Sequence, residues 1–156
     1  MPFLKLYSTA DLSEEDRCQT CKKMTEIIVN NLEVYPDKIQ THVQDNVKTM
    51  SRSGISTNEE KFSVDSRLRN IDFTNSYFNK VNTKEELFIL EIEIWIGNSI
   101  SSKKRVSINL TNYFKEKFEI SGDNILILFH DMNPEDWFQN GISGSEKDFL
   151  NKSREY

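Results

Sequence analysis

Two cysteines are too few for a disulfide framework, and three prolines with five glycines are too few for a low-complexity chain. Staples are not needed at 156 residues. A chain of that length buries roughly 70% of its unfolded surface, and one domain is expected. Long apolar runs are absent as well. The longest, Leu87 to Ile96, is interrupted by Glu91 and Glu93, which excludes a helical bilayer span. No basic segment followed by an apolar stretch opens the chain, so no signal peptide is expected and a cytoplasmic location follows. Positive charge is also scarce. The net charge is −5, and the densest basic cluster, Lys103 to Arg105, reads as a solvated helix face. Neither nucleic acid nor membrane is expected as a partner.

What remains is ordinary globular chemistry, 37% hydrophobic and 29% charged residues, arranged twice. The stretch from Leu12 to Asn46 matches the stretch from Asn98 to Met132 after a shift of 86 positions with no gap. The shift pairs Ser13 with Ser99, Thr25 with Thr111, Glu33 with Glu119, Asp37 with Asp123, Ile39 with Ile125 and Asp45 with Asp131. Such a duplication is the mark of a unit that cannot bury its apolar face alone.

Each half reads as strand, helix, strand. Phe3 to Tyr7 alternates apolar with polar residues, and Leu90, Ile92, Ile94 and Ile96 alternate with Glu91, Glu93 and Trp95, the period of a strand. Ser13 stands at a helix N-cap, with Glu14, Glu15 and Asp16 at the positive end of the helix dipole. Cys21, Met24, Ile28 and Leu32 follow at helical spacing, as do Val106, Leu110, Tyr113, Phe114 and Phe118 in the second copy. Pro36 and Gly122 punctuate the turns after the helices. Ile125 to Phe129 is continuously apolar and predicts a strand covered on both faces.

Two right-handed βαβ units then join into one α+β domain, a four-stranded sheet with two helices on one face. The other face is expected to be apolar and to drive association into a symmetric oligomer. The first repeat covers about 2–46, an inserted segment about 47–86, the second repeat about 87–141 and a C-terminal tail 142–156. Within the insertion, Ser51 to Lys61 reads as polar loop, and Phe62 to Phe73 alternates loosely enough for a short strand or hairpin.

A proline at position 2 followed at once by a strand, the repeated βαβ unit, and Glu135-Asp136-Trp137-Phe138 after the last strand resemble the tautomerase superfamily. The likeness is to its double-length members, the malonate semialdehyde decarboxylase and cis-3-chloroacrylic acid dehalogenase branches. It covers roughly residues 2–46 and 88–141. The resemblance implies the tautomerase/MIF-like fold, a homotrimer and a cofactor-independent enzyme with Pro2 as its catalytic residue. Removal of Met1 frees the ring nitrogen of Pro2 as a secondary amine. Burial lowers the pKa of an amine towards neutrality, where it can both take and return a proton. The implied substrate is a small 2-oxo or enol acid, undergoing keto–enol tautomerisation or a related decarboxylase, hydratase or dehalogenase reaction. Gln40, Trp137 and Phe138 are the substrate-binding candidates.

The departures are equally specific. Related enzymes hold the substrate carboxylate with arginines, whereas this chain has Asn98 and Ser99 before the second helix, and Gln40 and His42 near the second strand. Gln139 stands where the dehalogenase branch has a water-activating glutamate. Arg67 and Arg69 of the insertion are the remaining candidates for a carboxylate clamp. The alternative reading is therefore a catalytically silent oligomer that keeps the fold without the acid-binding arginines.

Cys18 and Cys21 form a CxxC, but they lie a turn inside the helix rather than at its start, where the dipole would activate a thiol. Packing is the expected role of Cys21, and a redox role for the pair is the weaker reading. A zinc site from these cysteines with His42 and His130 matches no established spacing. No metal and no cofactor are expected. The two histidines read as ordinary hydrogen-bonded residues, and the equivalent Asp37 and Asp123 as turn residues.

Overall fold

The computed structural model describes residues 1–52, 55–56 and 86–155. Two strands form its centre, β1 (Phe3–Ser8) and, after β2 (Gln40–Gln44), β3 (Ser51–Arg52) and β4 (Ile55–Ser56), the long β5 (Phe88–Trp95). β1 and β5 run antiparallel, with Leu4 opposite Ile92 and Leu6 opposite Leu90. β2 lies parallel to β1, and β6 (Ile125–Met132) parallel to β5, so the sheet order is β2-β1-β5-β6. The crossovers are α1 (Glu14–Leu32) and α2 (Ile100–Phe118).

Alternation decides which face is covered. Leu4 and Leu6 of β1 and Phe88, Leu90, Ile92 and Ile94 of β5 are buried in one core with Met24 and Ile28 of α1 and Val106, Leu110 and Phe114 of α2. The stripe of α1 is shifted from its expected line. Thr20, Met24, Ile27 and Ile28 are buried, while Cys21 is only half-buried. Thr20 reaches Tyr113 across the helix pair at 3.3 Å, so the hydroxyl is satisfied.

The duplication is visible atom by atom. Ser13 accepts from the Asp16 N–H at 3.0 Å and Ser99 from the Ser102 N–H at 3.1 Å, the caps that start each helix. Each helix ends in a left-handed glutamate, Glu33 at φ 52° and Glu119 at φ 53°. Each repeat ties its helix to the end of its outer strand by an equivalent ion pair, Arg17–Asp45 at 3.0 Å and Lys103–Asp131 at 2.7 Å. Pro36–Lys38 and Gly122–Asn124 form matching 3₁₀ turns.

Two expectations about the sheet are corrected. β6 is an edge strand, and Leu126 and Leu128 are 49% and 37% exposed, so its apolar run is covered on one face of the chain only. The uncovered face is mixed rather than apolar. Register sets Gln40, Phe3, Glu93 and His130 in one row across it, and His42, Lys5, Glu91 and Leu128 in the next. Lys5 bonds Glu93 at 2.6 Å on this face. In the insertion, β3 and β4 pair as a two-stranded ribbon, whereas the strand or hairpin expected in 62–73 lies outside the described residues.

The chain after β6 forms a second antiparallel pair, β7 (Phe138–Gln139) and β8 (Ile142–Ser143), and a short α3 (Phe149–Lys152). Phe149 is buried against the domain, with its ring 5.6 Å from that of Trp95.

Candidate functional site

Pro2 stands immediately before β1, where a residue without an N–H removes no ladder bond. It is buried, and its carbonyl accepts the Gln40 N–H at 3.2 Å, which pins the chain start beside β2. A cavity of about 380 Å³ opens at this point, within the range of small-molecule sites. Met1 and Pro2, the residues after α1 including Tyr35 and Lys38, the end of β5 with Trp95 and Asn98, and Leu150 of α3 wall it. Gly97, at φ +100°, allows the backbone to turn from β5 towards α2, and Asn98 fixes that turn by donating its amide to the Trp95 carbonyl at 2.8 Å.

Desolvation is the main electrostatic feature. Burial lowers the pKa of the N-terminal amine from 8.0 to about 6, because the charged form loses hydration without gaining a carboxylate partner. The amine is therefore largely neutral near pH 7 and can accept a proton. Lys38 is the one lysine or arginine among the described wall residues. Its ammonium donates to Ser153 Oγ at 2.9 Å and to Gln139 Oε1 at 3.3 Å.

Of the residues singled out in the sequence, Pro2 is in this cavity. Gln40 is exposed, its side chain is not among the cavity's walls, and its backbone N–H bonds the Pro2 carbonyl. Trp137 is half-buried and Phe138 is 65% exposed, and neither walls the cavity of this chain. Gln139 reaches the site through Lys38. His42 and His130 are exposed on the two outer strands, three strand spacings or roughly 14 Å apart across the sheet. Cys18 and Cys21 lie on α1, which covers the opposite face, and no group of three or more His, Cys, Asp or Glu among the described residues is placed to hold a metal. Arg67 and Arg69 lie outside the described residues.

Sequence reasoning missed Lys38, Trp95, Tyr35 and Leu150. The repeat carried a signal for the first. Its equivalent under the shift is Asn124, and both are polar yet buried one residue before an isoleucine that enters a strand.

No protein-family model matches the chain, and no curated protein matches it. Solved structures do. A macrophage migration inhibitory factor homologue from Prochlorococcus marinus superposes with a TM-score of 0.65 at 15% identity, over 92% of this chain and 99% of that one. A fused 4-OT wild-type symmetric trimer gives 0.67 at 10% identity, over 91% and 95%. Malonate semialdehyde decarboxylase inhibited by 3-bromopropiolate gives 0.63 at 15% identity, over 96% and 95%. The protein has the fold of the tautomerase superfamily, as the resemblance implied.

Proposed function

We propose that this protein is a cofactor-independent enzyme of the tautomerase type, with Pro2 as its acid–base residue after removal of Met1. One observation carries the reading: the start of the chain lies in a cavity whose desolvation lowers an amine there to about 6. Removal of Met1 would place the ring nitrogen at this chain start, where loss of hydration lowers the pKa of an amine. The substrate is a small 2-oxo or enol acid. In ketonisation the enol hydroxyl loses a proton and C3 gains one, so substrate and product are isomers. One base of near-neutral pKa serves both transfers. Gln40, Trp137 and Phe138 act only if a neighbouring copy brings them to the cavity, which fits assembly as a homotrimer in the cytoplasm.

Ketonisation of phenylenolpyruvate tests this, with protein whose intact mass shows Met1 removed. We expect turnover that falls by at least about 10² in Pro2→Ala, the usual contribution of a positioned general base. Equal rates for the two proteins would sink the proposal.

The second reading, a silent oligomer, is favoured by one feature. No arginine is among the described residues walling the cavity, and Lys38 is covered. It predicts no turnover in mass-verified wild type.

A further inference from the structure

Lys38 is a buried cation with poor compensation. Its side chain is 1% exposed, its two hydrogen-bond partners Ser153 and Gln139 are neutral, and the Phe149 ring lies 5.8 Å from its ammonium. Among the described residues the one carboxylate within 4.0 Å is Asp37. That carboxylate is already bound by Arg154 through Nε at 2.7 Å and Nη2 at 3.0 Å. An ammonium has three donors, and the third has no hydrogen-bond partner among the described residues. Taking such a group from water is costly unless a charge and full hydrogen bonding replace the lost hydration.

Apart from Asp37, the groups described around the Lys38 ammonium come from one part of the chain. Gln139, Phe149 and Ser153 all follow β6, and Leu150 of the same segment walls the cavity that Lys38 shares with Pro2. A carboxylate adds the attraction of opposite charges to an ammonium's hydrogen bond, which a neutral acceptor does not. An acid in the cavity is therefore a better partner for Lys38 than the hydroxyl and carboxamide it now has.

We propose that Lys38 is a latent anion site, covered in the free protein by the C-terminal segment and uncovered by a small carboxylate that displaces Ser153 and Gln139 from the ammonium. The proposal rests on reading this cavity as the site of a small acid. It supplies the carboxylate partner that the missing arginines leave open. It also couples occupancy to the packing of Trp95. That indole lies against Phe149, and its buried Nε1 has no partner among the described residues. Gly144 of the same segment approaches so closely that a Cβ there would meet Trp95 Cζ2 at 2.5 Å. Moving the segment off Lys38 changes what surrounds Trp95.

The test is calorimetric titration of the full chain with 3-phenylpropanoate, which has no enol to turn over, and with its neutral amide. The acid should bind at least about tenfold more tightly than the amide, the discrimination expected of one charged hydrogen bond. Lys38→Met should lose that discrimination. Lys38→Gln, which keeps hydrogen bonds to the segment, should lose it too and guards against a folding defect in the first variant. Ser153→Ala should bind the acid more tightly, because a competitor has been removed. In a Trp137→Phe background, acid and not amide should shift the emission of Trp95. Equal affinity for acid and amide, no binding of either, unchanged discrimination in both Lys38 variants, or weaker binding by Ser153→Ala would each overturn the proposal. Binding is measured in Pro2→Ala as well. Retained discrimination there, beside failed turnover, separates this site from the acid–base reading.

Discussion

The N-terminal residue and Lys38 wall the same cavity, and burial acts on the charge of the N-terminal amine. The N-terminal amine yields to it, with its pKa falling from 8.0 to about 6. The amine makes a prediction for protein that retains Met1. Because its folded pKa lies below the unfolded value, the unfolded chain binds more protons between pH 6 and 8. That group's contribution to stability therefore rises with pH across the window and is gone below it. The direct measurement is the pH dependence of acylation of the amine by acetic anhydride, read by mass spectrometry. A midpoint near 6 is expected in the folded protein, and one near 8 in urea. A folded midpoint near 8 would mean that the cavity does not desolvate the chain start, and the acid–base reading would lose its physical basis.

At the scale of elements, the repeat gives the same solution twice, including its one awkward choice. Both long helices end in a glutamate with positive φ, a conformation that costs an L-residue roughly 1 kcal/mol and glycine little. Glu33 walls the cavity and Glu119 does not, so the second is the clean probe. Glu119→Gly should raise the unfolding free energy by about 0.5–1 kcal/mol after allowance for glycine's freedom in the unfolded chain. The check is a urea denaturation curve of unchanged slope, and a lower midpoint would contradict the strain argument. The ungapped repeat, which pairs these two glutamates and the two caps, made the helices and their strands legible from sequence. Strand alternation did the same for the covered face. Two things were not legible, for physical reasons. An apolar run such as Ile125–Phe129 has the same pattern whether its second face meets a helix or another chain. Lys38 is polar in a turn, and its ammonium is met by the C-terminal segment, including Ser153, 115 positions away. Long-range burial of one lysine leaves no periodicity to read. Pro2 could be singled out from sequence because the chemistry expected of it depends on its position alone.

Among the described residues, two long helices form one layer on the four-stranded sheet, and a sheet of this kind needs a partner for its second face. That face carries Leu126 and Leu128 beside Phe3, Tyr7 and Ile89, with Lys5, Glu91, Glu93 and two histidines among them. Such a mixture suits burial against a copy of itself, where apolar groups lose water and opposite charges meet. A homotrimer is the expected assembly, and the mixed charge should make its pairing specific rather than open-ended. Leu128 lies in register with Glu91, so Leu128→Glu sets two carboxylates side by side on the face to be buried. Like charges in that position oppose association by desolvation and repulsion together. Light scattering after size exclusion should give three chains for the wild type and one for this variant, with helix content unchanged by circular dichroism. Ile108, 48% exposed on α2, belongs to the helix layer, and Ile108→Glu should remain trimeric. A monomeric wild type, or a variant that assembles as before, would place the interface elsewhere. Gln40, Trp137 and Phe138 would then have no route to the cavity that holds Pro2.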